Sequence, residues 1–356
     1  MTRPAPTRDS LAGKLPVTLI TGFLGSGKTT LLKRLLRDPG MKRAAVIINE
    51  FGEVGIDHEL IASSSEQMTL LSNGCLCCTV RTDLQETLRE LFIKRRAGEV
   101  IDFDRVFVET TGLADPVPVL HTLQTDGMLG AQYRLDCVVT LVDAVNGLKN
   151  LDEMPEAAKQ AAVADRIVIT KSDIAEPGAV AALQARLERM NPYAARSVAV
   201  NGEVEVGFLR DVGPGSTRAT PQDLERWLAP SGEGRPAEGA YLGERVRAGA
   251  HDASIGSFCL WFEQPFTWDT FSAAAQVLTS LRGSDLLRVK GLVNVSGERG
   301  PVVVQGAQHV FHPPVTLDAW ASEDRRSRIV FITRNLPRES VEALFAAVGT
   351  LAAPRS

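Results

Sequence analysis

Five short stretches of this chain place reactive or ligand-holding side chains at spacings that chemistry uses. The first runs Gly22-Phe-Leu-Gly25-Ser26-Gly27-Lys28-Thr29 and fits G-x-x-x-x-G-K-[ST]. Glycines let successive backbone N–H groups turn toward phosphate oxygens with no Cβ in the way. Lys28 is placed to reach the β- and γ-phosphates, and Thr29 to give its hydroxyl to Mg²⁺. A bare glycine turn before a helix would not carry Lys-Thr in register. The second stretch is Glu109-Thr-Thr-Gly112, with Asp115 three residues on. A phosphate loop needs an acid at the end of a neighbouring strand for the Mg²⁺ shell, and Glu109 supplies it. The Gly112 N–H is available to the γ-phosphate, which makes this segment sensitive to hydrolysis.

The third stretch is the acidic, glycine-spaced loop 49–57, with Glu53 and Asp57. Its acids can face Mg²⁺, the attacking water or a second metal, and the sequence does not choose among Glu53, Asp57 and Asp115 for the water. Fourth, Thr170-Lys171-Ser-Asp173 resembles the guanine-reading N-K-x-D with Thr in place of Asn. An Asp carboxylate accepts from guanine N1–H and N2–H₂, whereas adenine has no such amino group, so Asp173 favours GTP over ATP. The fifth, Cys75-Leu-Cys77-Cys78, holds three of the five cysteines. In an extended segment Cys75 and Cys77 share a face, and Cys78 joins them if the chain turns. Thiolates suit Zn²⁺ or other soft and borderline ions, and further ligands are open to Glu53, a His, a partner protein or water.

These stretches need a scaffold. From residue 15 to about 200, apolar runs at 17–21, 44–48, 106–108, 138–142 and 166–170 alternate with helix-length segments, which predicts a parallel sheet with helices on both faces. Ligands of such sheets bind beyond the carboxyl ends of the strands, where the phosphate loop, Asn49, Glu109, Asp143 and Thr170 all fall. Residues 1–14 read as a polar tail, 15–205 as a P-loop nucleotide-hydrolase domain, and 206–252, rich in Gly, Pro, Ser and Arg, as a linker. Residues 253–350 read as a smaller α+β domain, a sheet with helices on one face.

Remaining chemistry-bearing residues read as structural. His309 and His312 are three apart on a strand and face opposite sides, Cys137 and Cys259 read as core, Trp261 and Trp268 as packing, and Arg325-Arg326 as solvated. A net charge of −4 with both signs interspersed argues against a nucleic-acid partner. No apolar run approaches the roughly 20 residues of a membrane span. The polar N-terminus has no apolar core of an export signal, so the expected location is the cytoplasm.

Taken in order, residues 22–30, 49–57, 75–78, 109–116 and 170–173 resemble the CobW family of P-loop GTPases, and 287–291 with 308–314 resemble the CobW C-terminal domain. The resemblance implies that Thr30 joins the nucleotide-binding loop. It also implies slow GTP hydrolysis coupled to holding a transition metal, Zn²⁺ or cobalt, on C-x-C-C and delivering it to a client metalloprotein. Many members have a His-rich linker, whereas this one has only His251, so high-capacity storage is not implied. The second domain would recognise the client or mediate self-association. Two rivals stay open: a nucleotide-switch regulator without metal delivery, and a small-molecule kinase on the same loop, against which Asp173 argues.

Overall fold

The computed structural model describes residues 13–38, 41, 43–49, 68–70, 76–80, 84–209, 228, 255–311 and 314–352. The first sheet has eight strands: β1 (Leu15–Gly22), β2 (Ala44–Asn49), β3 (Met68–Leu70), β4 (Leu76–Val80), β5 (Arg105–Glu109), β6 (Tyr133–Asp143), β7 (Arg166–Thr170) and β8 (Ala195–Val198). They lie in the order β3-β4-β2-β5-β1-β6-β7-β8. Every pairing is parallel except β3 with β4. The expected parallel sheet is present, with an antiparallel edge strand added.

Helices cover both faces. Cys137, Val139 and Leu141 of β6 alternate into one apolar cluster with Leu31, Leu32 and Leu35 of α1 (Lys28–Leu35). Thr140, between them, faces the other way and donates to the main-chain oxygen of Gln160 on α6 (Pro155–Val163) at 2.8 Å. The remaining helices of this unit are α2 (Leu84–Ala97), α3 (Val117–Thr125), α4 (Gly127–Gln132), α5 (Gly147–Glu153) and α7 (Ala179–Met190). β6 begins five residues before the expected 138, because Tyr133 and Leu135 are already buried.

A second compact unit carries the other sheet. Its strands β9 (Ile255–Phe262), β10 (Leu286–Val293), β11 (Val302–Ala307), β12 (Val310–Phe311) and β14 (Ser327–Arg334) run β12-β11-β10-β14-β9, all antiparallel, and β13 (Val315–Thr316) pairs with β11. Helices α8 (Trp268–Arg282) and α9 (Arg338–Ala352) share one apolar cluster with residues of β10, β11 and β14. Both therefore cover the same face, as the α+β expectation requires. Thr267 caps α8 by accepting from the Thr270 N–H at 3.1 Å.

Trp261 departs from its expected packing role. It is 45% exposed, with the Arg326 and Arg328 guanidinium carbons 4.7 and 5.4 Å from its ring centre. Arg326, expected to be solvated, also pairs with Asp324 at 2.9 Å. Cys259 is only partly buried by side-chain exposure, although Cys137 is core as expected. His309 Nδ1 lies 3.0 Å from the Thr279 carbonyl, and His312 falls outside the described residues. Among the described residues no helix is long and apolar enough to cross a membrane.

Candidate nucleotide and metal site

Because the strands are parallel, β1, β2, β5, β6 and β7 all present their carboxyl ends to one edge of the sheet. At the end of β1, Gly22 has φ +146°, and a Cβ there would stand 2.4 Å from the Leu141 carbonyl oxygen. Gly25 and Gly27 sit at φ +70° and +93°, the left-handed region that glycine enters without strain. With Gly27 as the residue before it, α1 starts at Lys28 with no side-chain cap. Its first N–H groups therefore face the loop, the arrangement that holds anions at a helix N-terminus. Lys28 is buried and its ammonium donates to the carbonyls of Gly22 at 2.7 Å and Phe23 at 3.2 Å. Thr30 is exposed, and its methyl would be 3.2 Å from a Cβ at Gly202.

Thr29 and Glu109 meet. The Thr29 hydroxyl donates to Glu109 Oε1 at 3.3 Å, and Glu109 is 3% exposed. Next to it the Thr110 N–H donates to Ile20 O at 3.0 Å and its hydroxyl to Thr21 Oγ1 at 2.8 Å, tying the end of β5 to β1. Gly112 comes so close to the phosphate loop that a Cβ would lie 2.7 Å from Leu24 N and 2.8 Å from its Cα. Asp115 has two partners: its Oδ1 accepts from the Val117 N–H at 3.0 Å, and its Oδ2 pairs with Lys159 of α6.

Thr170 makes a contact that the motif itself does not contain. Its hydroxyl donates to the Ser26 carbonyl oxygen at 2.7 Å, and its side chain lies 3.7 Å from a Cβ position at Gly27. In place of an Asn amide, this residue braces the phosphate loop. Lys171 adopts φ 56°, and its ammonium reaches Asp143 Oδ2 at 3.3 Å. The other oxygen of Asp143 accepts from the N–H groups of Val145 at 3.0 Å and Asn146 at 2.6 Å. Asp173 is exposed in the turn beyond β7.

Glu53, Asp57 and Cys75 lie outside the described residues. Cys77 and Cys78 fall on β4, opposite Val46 and Ile47 of β2, which in turn register with Phe107 and Val108 of β5. Cys77 is thus two strands from β5 and two residues short of the level of Glu109. That is roughly 10 Å across the sheet and about 7 Å along it. Gln160, which no motif flagged, donates through Nε2 to the carbonyls of Gly112 at 3.1 Å and Ala114 at 3.0 Å.

Residues 16–197 match the profile described as CobW/HypB/UreG, nucleotide-binding domain, and residues 255–349 match the cobalamin synthesis protein CobW C-terminal domain. The chain belongs to the CobW/HypB/UreG family. Among its relatives, the zinc chaperone YjiA of Escherichia coli is 33% identical over 335 residues, covering 93% of this chain and 98% of that protein. The zinc chaperone CobW of Pseudomonas aeruginosa is 30% identical, covering 92% and 90%. A crystal structure of the Zn(II)-bound E. coli YjiA GTPase superposes with a TM-score of 0.70 at 32% identity, covering 94% of this chain and 99% of that one. The CobW-family match accounts for both sheets. Of the thiols outside the Cys-x-Cys-Cys stretch, Cys137 is buried in the core, and burial pushes the Cys259 thiol up to about 11, so Cys259 is no ready thiolate at neutral pH.

Proposed function

We propose that this chain is a GTP-hydrolysing metallochaperone that holds Zn²⁺ on Cys75, Cys77 and Cys78 and releases it to a client metalloprotein. The observation that carries the reading is the Thr29–Glu109 contact, which joins the phosphate loop to β5 in the same sheet as the cysteine strand β4. A GTPase bearing zinc chaperone relatives along almost its whole length supports the same conclusion.

The hydroxyl of Thr29 and the carboxylate of Glu109 are hard oxygen donors and fit Mg²⁺. When bound, Mg²⁺ neutralises charge shared between the β- and γ-phosphates. The chain's own residues do the rest. Lys28 exchanges the Gly22 and Phe23 carbonyls for phosphate oxygens, the backbone N–H groups of residues 25–29 surround the phosphates, and the Gly112 N–H meets the γ-phosphate. Asp173 reads the guanine edge and the Lys171 stem lies along the base, while Thr170 holds the loop from behind. Glu53 completes the thiolate set, and Asp57 or Asp115 orients the attacking water. Loss of the γ-phosphate releases the segments 49–57 and 109–115, which flank the cysteine strand in sequence, and metal affinity falls. The second sheet would meet the client or another copy of the chain.

Zinc titration in the presence of GDP and of a non-hydrolysable GTP analogue tests this, with a Cys75→Ser/Cys77→Ser variant alongside. Zinc affinity should differ between the two nucleotide states by about tenfold or more, and the variant should lose the bound zinc. Equal affinity in both states would defeat the delivery mechanism and leave a nucleotide switch.

A further inference from the structure

Behind the phosphate loop sits a buried carboxamide that none of the motifs contains. Gln160 is 1% exposed. Its Nε2 donates to the Gly112 and Ala114 carbonyls at 3.1 and 3.0 Å, and its main-chain oxygen accepts from Thr140 Oγ1 at 2.8 Å. Its Oε1 is buried without a hydrogen-bond partner, and so is the hydroxyl of Ser26, itself 2% exposed in the phosphate loop. Ser26 and Gln160 line the same cavity, together with Phe23, Thr140 and Asp143. Its volume is about 10 Å³, which is room for about one water.

We propose that Gln160 is a positioning residue for hydrolysis, setting the segment after Glu109 against the phosphate loop directly through Gly112 and Ala114 and indirectly through one internal water shared with Ser26. The inference rests on the GTPase reading above. Chemically the parts match. A carboxamide has two N–H donors, and two carbonyls take them. Its oxygen needs a donor, the Ser26 hydroxyl needs a partner, and a water supplies both. A buried polar group left unmade is costly, so a cavity of this size with two unpartnered polar atoms on its wall holds a water rather than staying dry. The neighbouring residue Lys159 holds Asp115, so consecutive residues of α6 grip both ends of the segment 112–115. Thr140 fixes this part of α6 to β6, giving the grip a rigid base. Gln160 reaches the nucleotide only through the loops, so its removal acts on the turnover step and not on nucleotide binding.

The test is Gln160→Met in the full chain, which keeps the side-chain length and removes donors and acceptor together. For GTP hydrolysis kcat should fall about tenfold or more, with KM for GTP and the affinity for a fluorescent GDP held within about threefold. A variant whose kcat is unchanged overturns the proposal, and so does one that loses nucleotide affinity and thermal stability along with turnover. If Gln160→Met does not fold, Gln160→Asn, an amide one methylene shorter, should show the same fall in kcat. Wild-type protein that fails to hydrolyse GTP at all would instead overturn the GTPase reading. A double-mutant cycle with Ser26→Ala addresses the water. A shared water makes the double variant no slower than the slower single, whereas strictly additive losses overturn the water link.

Discussion

The two sheets of this protein place their buried polar side chains differently. In the parallel sheet a set of buried polar residues gathers at one edge: Thr21, Ser26, Lys28, Glu109, Thr110, Asp143 and Thr170 are each 9% exposed or less. In the antiparallel sheet the core under α8 and α9 is aromatic, and its buried charged residues, Arg288 and Lys290, each 1% exposed, lie in the middle of β10 and not at a strand end. Phe262, Phe266, Phe271, Phe331 and Phe345 form a connected set with ring centres 4.9 to 6.2 Å apart. The contrast follows from topology. Parallel strands deliver every carboxyl end to one side, so polar groups can converge there while the strand middles stay apolar. Antiparallel strands alternate direction and offer no such common edge, and the face under α8 and α9 is given to packing. One unit concentrates chemistry, and the other concentrates shape.

The widest separation between the two should appear in a pair of variants. Lys28→Ala should lower kcat/KM for GTP roughly 100-fold or more while leaving the thermal stability of the second sheet unchanged, because it removes a charge aimed at the phosphates. Phe271→Ala, at a site 1% exposed, should destabilise the second unit by about 3–5 kcal/mol. Binding of fluorescent GDP should survive in that variant. Steady-state kinetics and differential scanning calorimetry read both, and loss of GDP binding in Phe271→Ala would break the division of labour.

How much of this was legible in the sequence depends on how far apart the partners lie. The phosphate loop was readable because its residues are contiguous and every function comes from local backbone geometry. Glu109 was readable as the last residue of an apolar strand, and its contact with Thr29 spans 80 residues but follows from the family of sheet. The bracing function of Thr170 was not readable, since its partner Ser26 is 144 residues away and a hydroxyl carries no signature of what it will meet. Gln160 was hidden in the same way, one of two polar residues, with Lys159, in the alanine-rich stretch 157–162. The first residues of β6 were missed because charged Arg134 and Asp136 alternate with Tyr133 and Leu135, although both of the latter are buried. Trp261 was misread because an exposed ring covered by two arginines has the same composition as a core one.

Two smaller effects sharpen the account of the polar edge. Gly112→Ala places a Cβ 2.7 Å from Leu24 N, and backbone cannot yield as a flexible side chain would. The segment must shift from the phosphate loop, so GTP hydrolysis should drop roughly 10- to 100-fold with GDP affinity retained. A variant with normal turnover would show that the close approach of Gly112 to Leu24 is not used in hydrolysis. Asp173→Ala should reduce the preference for GTP over ATP by about tenfold, measured as the ratio of the two kcat/KM values. An unchanged ratio would move base recognition away from the turn after β7.

The smallest expected effect lies in the same unit but away from the edge, at Asp126. Its Oδ1 accepts from the Leu129 N–H at 2.8 Å, capping α4, and its Oδ2 takes Gln85 and Arg89 of α2. The backbone bond from Leu129 is the main cause that holds this carboxyl below the usual carboxylate range, opposed by burial and aided by Gln85 and Arg89. A carboxyl with a lowered value in the folded chain binds its proton less readily than in the unfolded chain. Its contribution to stability is therefore complete above the ordinary Asp value of about 4 and fades as pH falls below it. Asp126→Asn keeps an oxygen for the cap but gives up the charge, so its melting temperature should lie below wild type at pH 7, and the gap should close as pH is lowered through about 4 toward 3. Circular dichroism melts at pH 7, 5, 4 and 3 would show this, and a gap that stays constant across the series would mean that the α2–α4 contact holds without the charge.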